Sequence, residues 1–197
     1  MSSRRPDPVR RSGLGLLLLG IGRRQGFAFF GTDTDAYLGS LAPLVAFALV
    51  TAGVVALTGD WRGAASLFLM WLCQMLAPPV IADPLCRRWG REDRWALYCN
   101  ILNWTPFLLF MVLVLLAAIA RSAISLGVDA ELATGIDSLL LIIYGIWFQW
   151  FVVRGALALS RKRSLLLLLA TTLAGVCLVA IELVFGQGAG LFDVAPK

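Results

Sequence analysis

The chain has 197 residues, of which 59% are hydrophobic and 15% charged, with a mean hydropathy of +0.83. Soluble domains average roughly 45–50% apolar and about 25% charged residues, so a soluble fold is excluded and an integral membrane protein is expected. The net charge of +5 does not argue for nucleic acid, because the basic residues fall at the ends of apolar runs, where membrane topology accounts for them.

In chain order, residues 1–12 carry Arg4, Arg5, Arg10 and Arg11 with Pro6 and Pro8, and read as a disordered basic tail. Residues 13–30 hold the Leu16–Leu19 run followed at once by Arg23 and Arg24. No small-residue cleavage site precedes the first long apolar run, so this is not read as a signal peptide. It reads as a short amphipathic helix in the cytoplasmic interface, anchored by Phe27, Phe29 and Phe30, with a disordered lead-in as the alternative. A domain of five spans is expected over 31–190, at about 36–59, 63–82, 95–120, 138–159 and 164–186, each close to the ~20 apolar residues a crossing helix needs. The runs are continuous rather than alternating, which excludes a transmembrane β-barrel. The expected fold is an all-α polytopic bundle.

Orientation follows from the Arg and Lys in short loops. Arg4, Arg5, Arg10, Arg11, Arg23 and Arg24 precede the first span. Arg87, Arg88, Arg91 and Arg94 lie between the second and third, and Arg154, Arg161, Lys162 and Arg163 between the fourth and fifth. Only Arg62, Arg121 and Lys197 lie on the other side. The positive-inside rule therefore predicts a cytoplasmic N-terminus and an outside C-terminus. The preponderance of Arg over Lys, with much Leu, Ala and Gly, suggests a high-GC bacterial genome and hence an inner membrane.

The inventory of reactive groups is thin. There is no histidine, the commonest general base and metal ligand. Cys73, Cys86, Cys99 and Cys177 show no C-x-x-C spacing, and read as structural thiols. No metal or cofactor is expected. Polar residues within the spans are Gln74, Asn100, Asn103, Gln149, Arg154 and Glu182, and such residues are functional candidates by default. With the predicted topology, Gln74, Pro78 and Pro79 at the end of span two share the cytoplasmic leaflet with Asn100, Asn103, Gln149 and Arg154. Asn100 and Asn103 share a helix face, which Phe107 continues. Pro78 and Pro79 remove two donors and free carbonyls near Gln74 and Met75, which the Asn and Gln amides are placed to satisfy. The cluster is either interhelical glue, worth roughly 0.6 kcal/mol per bond and up to about 1.7, or a ligand or transport site. Arg154 reads most simply as a snorkelling side chain, and Glu182 as an interfacial carboxylate.

The order of these features resembles a family. Trp71 and Pro78-Pro79 mark the second span, Tyr98-Cys99-Asn100-Ile101-Leu102-Asn103-Trp104 opens the third, and Trp147-Phe148-Gln149-Trp150-Phe151-Val152-Val153-Arg154 closes the fourth. The chain resembles the bacterial five-helix membrane proteins of the Yip1-like group, of alphaproteobacterial type. The resemblance implies a five-span α-bundle. Eukaryotic members are linked to Rab GTPases and vesicle traffic, but their Tyr-Gly-Pro element is replaced here by Ala42-Pro43-Leu44, and their long cytoplasmic N-terminal domain has no counterpart in the lead-in. The expected function is a non-enzymatic membrane scaffold or partner-binding protein. Its partners are the lipid bilayer and a membrane protein or a second copy of itself. The alternative is a small transporter or channel built on the polar cluster.

Overall fold

A computed structural model describes residues 8–186, with side chains from Arg10 to Ile181. Residues 1–7 of the expected tail, and the side chain of Glu182, lie outside the described residues. Helix α1 spans Pro8–Gly20 and is followed by a 3-10 turn, Arg24–Phe29. Five long helices follow: α2 (Thr34–Ala56), α3 (Trp61–Trp89), α4 (Trp95–Ser125), α5 (Ala130–Ala156) and α6 (Arg161–Gly186). All five are long and apolar enough to cross a membrane. There is no strand among the described residues. The protein is thus an all-helical, multi-pass membrane protein. Its helices carry exposed large aliphatic side chains, such as Val54, Val80, Leu115, Ile142 and Leu173, on their outer faces. That inverted distribution suits a hydrocarbon solvent.

The ends of the helices have local causes. Asp33, Asp60 and Asp129 are N-caps, each accepting from the backbone N–H three residues on, at 2.8, 2.8 and 2.9 Å, which satisfies one orphan donor of α2, α3 and α5. Helix α3 ends at Gly90, whose φ of 63° is left-handed. Arg91 N–H then reaches back to the Cys86 carbonyl at 2.9 Å, the closing bond of a glycine-terminated helix. A four-residue link, 126–129, joins α4 to α5, so residues 121–125 and 130–137, outside the expected spans, are helical.

Two further expectations are corrected. Pro78-Pro79 does not end the second span: α3 continues past them and past Pro84 to Trp89. The indole N–H of Trp95 on α4 donates to the Pro79 carbonyl at 3.1 Å, so this stretch is held by a neighbouring helix; Arg87 and Asp83 form an exposed i,i+4 pair along α3 itself at 3.0 Å. Pro43 likewise lies inside α2. Residues 8–12, expected to be disordered, belong to α1.

Around the bundle the order is α2, α3, α6, α5, α4 and back to α2, with α3 also touching α4 across the ring. Helix α1 folds back on the 3-10 turn as a hairpin that docks on α4 and α5. Leu16, Leu19 and Phe30 are buried. Gly15 and Gly26 let the two arms approach so closely that a Cβ on either would strike the other arm. The Tyr144 hydroxyl donates to the Gly20 carbonyl at 3.0 Å, and Phe27 lies 5.7 Å from the Phe151 ring, above Gly155. The phenylalanines expected to anchor in lipid are therefore turned onto the protein. Phe30 enters the core and Phe27 and Phe29 cover it.

Candidate functional site

The third span supplies two side-chain hydrogen bonds to α2 and to the segment before it. Asn103 is 2% exposed, and its amide N–H donates to the Ser40 hydroxyl of α2 at 2.7 Å. Ser40 in turn donates to the Tyr37 carbonyl at 2.6 Å. One turn earlier, Asn100 donates to the Gly31 carbonyl at 3.2 Å, fixing the strand-like entry into α2. The shared face of the two asparagines thus looks towards α2. Phe107 continues it, with its ring 5.4 Å from Phe47. Neither amide goes to the carbonyls freed on α3, which corrects that expectation. The reason is geometric: α4 presents this face to α2, and the acceptors of α3 lie on another side.

Gln74 crosses the ring in the other direction. Its amide N–H donates to the Gly175 carbonyl of α6 at 3.0 Å. Gly175 is where a larger side chain would crowd the Gln74 amide oxygen, 3.1 Å from the Cβ it would gain. Gln149 on α5 is half-buried and makes no hydrogen bond among the described residues. Arg154, in the last turn of α5, borders none of the internal space. Pro79 is buried, and its role is the carbonyl that receives Trp95.

Two internal spaces meet at Gln74, Pro78, Leu102 and Gln149. The smaller, about 190 Å³, lies between α3, α4, α5 and α6, and is bordered also by Tyr98, Thr171, Thr172 and Gly175. Its lining is dominated by amides and hydroxyls. The larger, about 1060 Å³, runs from there between α2, α3 and α4, towards Val54 and Leu113. Its walls are apolar, with Phe47 at the centre: Trp71, Phe107 and Phe110 stand edge-on to it at 5.4, 5.4 and 6.3 Å. Val50, Val54, Phe110 and Leu113 of its wall are exposed, so the space is open along its side. Of the predicted residues, the fold thus brings Gln74, Pro78, Asn103 and Gln149 to one space, and leaves Asn100, Pro79 and Arg154 outside it.

Sequence reasoning missed Ser40, Gly31, Gly175 and Tyr98. Ser40 is a polar residue early in an apolar run, which is a readable signal. The carbonyls of Gly31 and Gly175 belong to the backbone and carry none. The four cysteines are free; Cys86 and Cys99 are buried in the core, and Cys73 and Cys177 face outwards.

The chain matches no protein-family model, no curated protein and no solved structure.

Proposed function

We propose that the chain is a non-enzymatic binding protein of a bacterial inner membrane, with its N-terminus cytoplasmic and its C-terminus outside, and that it holds its ligand inside the bundle. The topology rests on the asymmetry of Arg and Lys between the two sets of loops. Membership of the Yip1-like group rests on the order of features around Pro78-Pro79, Asn103-Trp104 and the aromatic run ending at Arg154.

The observation that carries the binding role is the space of about 1060 Å³ that reaches the polar residues Gln74, Asn103 and Gln149. It lies at the top of the range of about 300–1,000 Å³ typical of small-molecule sites. The space is open along its side at Val50 and Phe110, so an apolar chain lying in it supplies the contacts that its walls otherwise lack. The walls supply apolar surface and a few convergent amides rather than a nucleophile beside a base, which favours binding over catalysis. A small transporter is the second reading, favoured by Gln149, whose amide borders both spaces and has no hydrogen-bond partner among the described residues.

The test is native mass spectrometry of the protein released from a mild detergent. An amphiphile retained in a fixed ratio is the expected result, with retention reduced in Ala46→Phe, which narrows the larger space. Protein released with no bound small molecule, but with a stoichiometric protein partner, would instead support a scaffold and overturn the binding role.

A further inference from the structure

We infer that the bound molecule is an uncharged amphiphile, whose hydroxyl-bearing end sits in the small chamber at Gln74 and Gln149 while its hydrocarbon chain lies along Phe47 and Trp71. The inference rests on the binding role proposed above and adds the chemistry of the ligand.

The two spaces divide one site by polarity. In the chamber, Gln74 is oriented by its bond to the Gly175 carbonyl, which leaves its amide oxygen as an acceptor. Among the described residues Gln149 has two donors and an acceptor uncommitted, and Tyr98 and Thr172 add hydroxyls to the wall. Pro78 has no N–H, so the Gln74 carbonyl one turn earlier is a further acceptor beside the chamber. A hydroxyl group both donates and accepts, and this mixture suits it. An amide without a partner is costly in the membrane interior, so Gln149 gains by such a ligand. The chamber, about 190 Å³, has room for a head of glycerol size, equal to about six waters at ~30 Å³ each.

No side chain bordering either space carries a formal charge. A phosphate or ammonium in the chamber would meet no counter-ion, and a buried charge without one is strongly disfavoured. Headgroup charge therefore selects against ordinary anionic phospholipids. The chain end is equally defined: the larger space is walled by aromatic and aliphatic groups and is open along the side at Val50 and Phe110. A molecule already in the bilayer can enter there without crossing water.

The experiment uses the full chain in phosphatidylcholine nanodiscs with two photoactivatable probes. One is a monoacylglycerol with a diazirine in its chain; the other is the same molecule bearing a phosphate on its glycerol. Labelled peptides are mapped by mass spectrometry. The neutral probe is expected to label α2 and α4 around Phe47 and Phe110 saturably, in competition with unlabelled monoacylglycerol. The phosphate probe should do so about tenfold less or weaker, since each 1.4 kcal/mol of discrimination is tenfold. Gln149→Leu should lower saturable labelling about fivefold, the scale of one lost hydrogen bond, while Gln149→Asn retains most of it. If Gln149→Leu lowers the melting temperature, Ala77→Leu, which fills the chamber from α3, is read in its place. Equal labelling by the phosphate probe overturns the uncharged head but leaves the binding role standing. Wild-type labelling in Gln149→Leu and Ala77→Leu overturns the placement of the polar end. Absence of saturable labelling by either probe overturns both this inference and the binding role.

Discussion

The buried pair Asn103–Ser40 shows how a single amide acts in this bundle. Its N–H donates to the serine hydroxyl at 2.7 Å, and both residues are almost fully buried. In a bilayer the unfolded reference also finds partners for polar groups, so such bonds are worth about 0.6 kcal/mol and at most about 1.7. Asn103→Leu is therefore expected to lower stability in detergent by that amount, and Ser40→Ala by a similar one. The double variant should be no less stable than the worse single, because one bond is being removed twice. A simple sum of the two losses in thermal melts would show that each residue acts through other contacts. The asparagines were legible as inward-facing because a polar amide every third residue of an apolar run has one face to hide on. Their partners were not. An acceptor such as the Gly31 carbonyl is present at every residue, and only the fold decides which one is in reach.

At the scale of the elements, the spans were legible and their ends were not. Each apolar run of the sequence became a helix, since hydrocarbon leaves the backbone no alternative but to bond within itself. Helix α3 ran on beyond its expected end because proline marks a lost donor, not a forbidden helix, and contacts from Trp95 hold the stretch. The docking of the N-terminal hairpin was not legible, because Leu16–Leu19 between basic residues describes a free interfacial helix as well as it describes a docked one. What distinguishes them is the set of glycines at the contact, and above all Gly155 on α5, where any Cβ would strike the Phe27 ring. Gly155→Val is expected to undock the hairpin while leaving α5 intact, since even a β-branched residue favours a helix over glycine, by a few tenths of a kcal/mol. Trypsin should then cut after the exposed Arg23 and Arg24 several-fold faster than in the wild-type protein. Combining the change with Phe27→Ala should slow cleavage again by restoring room. Unchanged cleavage in Gly155→Val would mean that the hairpin does not depend on this contact.

For the whole molecule, orientation is the claim on which the depth of every polar group depends. A periplasm-active reporter fused at Gly127, in the link between α4 and α5, is expected to be active, and one at Arg91 silent. The reverse pattern would place the Gly90 turn outside, and the polar chamber in the other leaflet. The internal space itself was not legible in the sequence. It arises where side chains fail to meet, and no residue pattern records that; only its polar wall, Gln74, Asn103 and Gln149, could be anticipated. The docked hairpin also has a consequence for biogenesis. Gly20 and the tyrosine that holds it are 124 residues apart. At a synthesis rate of about 5–20 residues per second, roughly 6–25 s separate the emergence of the hairpin from that of its receptor on α5. During that interval three spans, α2 to α4, must enter the bilayer while Leu16, Leu19 and Phe30 have nothing of α5 to cover them. The hairpin, made before all five spans, is thus among the last elements to find its place, and membrane insertion precedes completion of the tertiary fold.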